Sequence, residues 1–171
     1  VMDDNGNGFS DDVAQSIIYA IDQGADVINM SLGTNGDDPQ VRSAINVAFE
    51  NNVIVVAAAG NCGNSSAGPC SGQVAGYVTF PANYNRVIAV GATDSSNNRA
   101  NFSSYGERLD VMAPGSGSIP STAWTNSNGV SAYASSLYGT SYAAPIVASS
   151  AALIRSIRPD TSIDDVRALL M

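Results

Sequence analysis

Four short apolar runs punctuate the chain, and amphipathic stretches separate them. The runs are Val27-Ile28-Asn29-Met30, residues 53–58, residues 87–90 and residues 109–112. Before the first run, Val13, Ile17, Ile18 and Ile21 recur at helical spacing. Ser10 stands as the N-cap of that helix, Asp11 and Asp12 lie in its positive first turn, and Gly24 is its stop. Between the first two runs, residues 39–51 place Val41, Ala44, Ile45, Ala48 and Phe49 on one helical face. Strands that are apolar throughout need cover on both faces, and helical crossovers between parallel strands supply it. The pattern predicts an α/β layered fold. A further helix is expected over residues 141–157, stopped before Pro159. A last one is capped by Thr161 or Ser162, with Ile163, Val166, Leu169 and Leu170 as its apolar side. Such folds bind ligands beyond the C-terminal strand ends. The loops there are Ser31-Leu32-Gly33, Gly60-Asn61-Cys62 and the stretch after Met112.

The charge pattern excludes several functions. The 171 residues carry 15 acidic against seven basic side chains, a net charge of −8. All seven basic residues are arginine, and there is no histidine. Such a chain is a poor match for a phosphate backbone, so nucleic acid is not the expected partner. A P-loop fails for want of a lysine. No apolar run approaches the roughly 20 residues of a membrane span, so no membrane partner is expected either. A histidine metal site is impossible, and so is Ser–His or Ser–Lys catalysis contained within these residues. With no internal repeat and no linker-like tract, the chain is expected to be one unit with its own core. Val1 is not an initiator Met, the sequence reads as starting mid-strand, and Leu170-Met171 ends it inside a helix. These ends read as those of an internal piece of a longer protein; a processed chain beginning at Val1 is the other reading.

Three segments carry potential chemistry. In Gly139-Thr140-Ser141-Tyr142-Ala143-Ala144-Pro145 a serine among small residues opens a helix, where its hydroxyl is accessible and backbone N–H groups face a developing anion. Alone, this is most often just a helix start. In Ala57-Ala58-Ala59-Gly60-Asn61 an apolar strand ends at an amide that could donate to an oxyanion. Alone, Asn61 is more often a turn residue. In Asn29-Met30-Ser31-Leu32-Gly33 a strand end opens into a glycine, an edge where an extended peptide could pair. Alone, it is an ordinary strand exit.

Together, in this order, the three segments resemble the subtilisin-like serine proteases. Val87-Ile88-Ala89-Val90-Gly91-Ala92, Asn101-Phe102-Ser103-Ser104-Tyr105-Gly106 and Asp110-Val111-Met112-Ala113-Pro114-Gly115 extend the resemblance over essentially the whole chain. It implies a three-layer fold with a mainly parallel sheet, incomplete at both ends, with residues 1–171 forming part of a peptidase catalytic domain. It makes Ser141 the nucleophile and Asn61 the oxyanion-hole side chain. Ser31, Leu32 and Gly33 would form one wall of the primary specificity pocket, and Ala58, Ala59 and Gly60 the other. Gly6, Asn7 and Gly8 would pair with substrate backbone. The implied substrate is a peptide or protein with a bulky apolar or aromatic residue before the cleaved bond, and a propeptide or an absent N-terminal segment would be a further partner.

The departures matter as much. The family's order is Asp, His, Ser, and neither partner of Ser141 is present. Ile146 stands where many members have a histidine that is not the base. The family's strand and helix after the last arginine-bearing helix are also missing. The chain alone is therefore expected to be inactive. A non-catalytic peptide-binding domain on the same fold is the alternative. A glutamate base, as in the sedolisin group, goes with an acidic oxyanion residue, which Asn61 is not. A dinucleotide site lacks its Gly-x-Gly-x-x-Gly turn.

Cys62 and Cys70 flank a short Gly/Pro loop, which suits a local disulfide and an extracellular, oxidising compartment; two free thiols are the other reading. Calcium is the plausible structural metal. Asp3-Asp4-Asn5-Gly6-Asn7-Gly8 resembles an EF-hand loop only superficially, since Ala14 stands where its bidentate glutamate is needed. The family resemblance implies instead a cation site at the carbonyls of Ala82, Tyr84 and Val87, with a loop holding no ion as the other reading.

Overall fold

The computed structural model describes residues 1–3, 7–64, 70–117, 119–124 and 131–171. Its elements run α1 (Ser10–Asp22), β1 (Val27–Met30), α2 (Pro39–Glu50), β2 (Ile54–Ala58), β3 (Val87–Thr93), β4 (Val111–Pro114), β5 (Ile119–Trp124), β6 (Ser131–Leu137), α3 (Thr140–Ile157) and α4 (Ile163–Leu170). Strands β1 to β4 form one parallel sheet in sequence order.

The alternation along β2 shows why the sheet needs two covers. Val55 and Ala57 face a core shared with Ile17 of α1 and Val41, Ala44, Ile45 and Ala48 of α2. Ile54, Val56 and Ala58 face the opposite core, shared with Ala143, Ala144, Val147 and Ala151 of α3 and Val166 of α4. Period-two side chains on a strand buried on both sides thus build two cores and three layers. This is the α/β architecture expected from the sequence.

Several boundaries differ from expectation. Phe9, not Ser10, is the N-cap of α1, and no side chain caps it. The Ser10 hydroxyl bonds instead to Asp38, the N-cap of α2, whose Oδ1 also accepts from Gln40 N and Val41 N. Val1, Met2 and Asp3 belong to no strand. Strand β4 starts two residues later than predicted, because Leu109 N closes a turn onto Gly106 O and only from Asp110 do the amides reach β3. Ile18 is exposed rather than part of the apolar face of α1, and Leu169 is exposed on α4. Ser162 rather than Thr161 caps α4, accepting from Asp165 N at 3.1 Å.

The antiparallel pair β5–β6 has no counterpart in the sequence reading. Its serines and alanines give no clear apolar alternation, so the period-two signal is weak there.

Candidate active site

The helix start at Ser141 is shaped by a residue one turn later. Pro145 lies inside α3 and has no N–H. The carbonyl of Ser141, its i−4 partner, therefore receives no helical hydrogen bond from it. That carbonyl accepts instead from Ser31 Oγ at 2.8 Å, and Ser141 Oγ donates back to Ser31 O at 3.3 Å. Asn29 Nδ2 donates to Ser31 Oγ at 3.0 Å. The end of β1 and the start of α3 are thus joined reciprocally, although 110 residues separate them. Gly139 N donates to Gly115 O at 2.8 Å, which ties the residue before α3 to the end of β4.

The end of β2 meets the same helix start. Asn61 Oδ1 accepts from Thr140 N and from Thr140 Oγ1, each at 3.1 Å, and Thr140 Oγ1 accepts from Gly60 N at 3.2 Å. With its oxygen held by Thr140, the other end of the Asn61 amide is its NH2 donor. The Ser141 N–H lies in the first turn of α3, where backbone donors have no intrahelical acceptor.

Ser141, Asn61, Ser31, Leu32, Gly33, Ala58 and Gly60 border one cavity of about 330 Å³. Gly60 has φ +103°, and a Cβ there would lie 2.8 Å from Thr79 Cγ2. A Cβ on Gly33 would lie 2.6 Å from Thr79 Oγ1. Both walls are glycine because Thr79 fills the space between them. Ala59 is fully buried behind this wall; its N–H bonds Val90 O and its carbonyl accepts from Thr79 N. A neighbouring cavity of about 450 Å³ shares Leu32 and Gly33 and is bordered by Asn7 and Gly8. Gly6 lies outside the described residues.

Two bordering residues were not among those predicted, Thr79 and Thr140. Thr140 sat inside the Gly-Thr-Ser segment, so its place was readable. Thr79 had no local signal; the mutual backbone bonds of Thr34 and Phe80 bring it to the pocket floor. Ser104 also escaped notice, yet it holds the Asn61 loop. Its Oγ donates to Tyr77 O at 2.6 Å and accepts from Cys62 N at 3.2 Å, and its N–H donates to Gly60 O.

Cys62 and Cys70 form the expected disulfide, with Cα atoms 5.3 Å apart, at the rim beside Asn61. The carbonyls of Ala82, Tyr84 and Val87 do converge, but on the guanidinium of Arg108. As arranged, the set does not fit a metal ion. Among the described residues, no group of three or more His, Cys, Asp or Glu side chains is placed to hold a metal, and no helix is long and apolar enough to cross a membrane.

A parallel α/β sheet thus carries, beyond its strand ends, one cavity bordered by a serine at a helix start and by an amide side chain. The family model for the subtilase family, Peptidase_S8, matches residues 1–171; the chain belongs to that family. It is 44% identical over 167 residues to subtilisin DY of Bacillus licheniformis, covering 98% of this chain and 56% of the relative. It is 40% identical over 156 residues to thermitase of Thermoactinomyces vulgaris, covering 91% of this chain and 50% of the relative. A protease structure from Pseudoalteromonas arctica superposes with a TM-score of 0.83 at 34% identity, covering 96% of this chain and 51% of that one. The chain spans about half the length of these relatives.

Proposed function

We propose that Ser141 is the nucleophile of a serine endopeptidase, and that residues 1–171 are part of its catalytic domain. The general base and the carboxylate that orients it come from residues outside these 171. The observation that carries the reading is the placement of Ser141 Oγ and the Asn61 amide at one cavity, each fixed by a hydrogen bond to another element. The hydrogen-bond partner of Ser141 Oγ is a backbone carbonyl, which cannot take its proton at neutral pH.

In this mechanism an external base removes the hydroxyl proton as Ser141 attacks the scissile carbonyl. The resulting oxyanion is faced by Asn61 Nδ2 and the Ser141 N–H. Collapse expels the amine, which takes the proton, and leaves an acyl-enzyme; water, activated by the same base, releases the acid. Peptide backbone would lie along residues 31–33 on one side and 6–8 on the other. The small side chains of the cavity walls, Leu32-Gly33 and Ala58 with Gly60, suit a bulky apolar or aromatic side chain. The disulfide suits an extracellular protein, and the partner the site needs is the remaining part of the protein.

The test compares three samples on a chromogenic peptide anilide: the product of the whole reading frame, its Ser141→Ala variant, and the 171-residue chain alone. Hydrolysis is expected only from the first. Activity of the whole enzyme that survives Ser141→Ala overturns the proposal. So does Ser141-dependent hydrolysis by the chain alone, which would place the base inside it. An inactive whole enzyme that still binds peptide would establish the binding-domain alternative.

A further inference from the structure

The carbonyl cradle at Ala82, Tyr84 and Val87 holds a cation that belongs to the chain itself. Arg108 Nη2 donates to Ala82 O at 3.0 Å, to Val87 O at 3.3 Å and to Tyr84 O, while Nε donates to Asn83 O at 3.1 Å. Three carbonyls therefore converge on one nitrogen that carries two hydrogens. A guanidinium does not need that excess of acceptors. A spherical hard cation, with no directional donors and a demand for several oxygens, does.

The carbonyls do not owe their direction to Arg108. Asn83 N bonds Thr79 O, Tyr84 N bonds Pro81 O and Val87 N bonds Tyr84 O, so consecutive turns set the backbone. Nor does the adjacent carboxylate depend on Arg108. Asp110 Oδ1 pairs with Arg167 Nη2 at 2.6 Å and Asp110 Oδ2 accepts from Ala89 N at 2.7 Å, whereas Arg108 Nη1 stands 3.8 Å away. Two arginines already face this one carboxylate, and a metal ion would bring further positive charge into space the guanidinium fills.

We propose that Arg108 is a built-in replacement for a metal ion, and that removing its side chain turns the cradle into a binding site for a free hard cation such as Na⁺, K⁺ or Ca²⁺. The covalently attached cation makes this corner independent of the ions in the medium. The proposal is separate from the catalytic reading, because none of these residues borders the Ser141 cavity.

The test is thermal unfolding of the whole enzyme and its Arg108→Ala variant in choline chloride with chelator, titrated at constant ionic strength with Na⁺, K⁺ or Ca²⁺. The variant is expected to melt lower than the parent and to recover by about 2–4 °C or more, saturably, with at least one of the three. The parent should lack that component. Ion sites common to both cancel in the difference. A folded variant whose titrations run parallel to the parent's overturns the proposal, including the case in which Arg167 takes over the vacated carbonyls. If Arg108→Ala is unfolded in choline, Arg108→Gln runs the same titration, with the same two outcomes.

Discussion

Asn61 keeps its amide oxygen bound to Thr140 N and Thr140 Oγ1, so its rotamer is set before any substrate arrives. Replacing it by Leu in the whole enzyme should lower kcat by about 10²–10³-fold with little change in KM, a magnitude known from subtilisin itself rather than derived from this geometry. Steady-state kinetics check it. Ser104→Ala acts on the same loop from behind. It leaves Tyr77 O and Cys62 N without a buried partner and should cost about 1–3 kcal/mol in denaturant unfolding. Asn61 and Ser141 stood out as candidates only when their segments were read together as a family pattern, since alone each junction reads as an ordinary turn or helix start. Ser104 and Thr79 did not stand out, since a buried serine or threonine advertises its partners only once distant segments are folded together.

At the scale of elements, Pro145 controls how α3 meets β1. Pro145→Ala supplies the missing N–H, which then competes with Ser31 Oγ for the Ser141 carbonyl. Stability should rise while kcat of the whole enzyme falls, a split that parallel melting and kinetic measurements would show. Arg167 anchors α4 to the sheet through Asp110, whose side chain is only 9% exposed. Arg167→Ala should destabilise by about 2–3 kcal/mol in urea unfolding, because it strips a charged partner from a largely buried carboxylate. The main sheet and its four crossover and flanking helices were readable from periodicity. The β5–β6 pair was not, because its side chains alternate too weakly. Strand ends slipped by one to three residues, since pairing in a parallel sheet is decided by the neighbour's register rather than by the strand's own sequence.

For the whole molecule, charge and burial set the response to pH. Burial pushes the Tyr84 phenol up to about 12, with the Asp37 and Asp38 carboxylates adding to it and the Asp38 N–H opposing it. The folded state therefore holds this proton more tightly than the unfolded chain, whose value is near 10.0. That stabilisation is complete below pH 10.0 and is lost as pH rises through about 12; Tyr84→Phe should flatten the alkaline limb of stability measured by urea midpoints. The Val41 N–H, with the Ser10 hydroxyl and the Gln40 N–H, holds Asp38 below its ordinary 3.8. Its contribution is present above that value and fades as pH falls through the lower folded one. With no histidine and no free cysteine, no side chain of ordinary pKa titrates near neutrality. A neutral-range pH profile in the whole enzyme must then report a base outside these 171 residues. The most direct measurement is mass-spectrometric mapping of a fluorophosphonate adduct on the whole enzyme, with the 171-residue chain alongside. The account predicts one adduct, on Ser141 of the whole enzyme, absent from Ser141→Ala and from the chain alone. An adduct on another residue, or none on a whole enzyme that hydrolyses peptides, would contradict it.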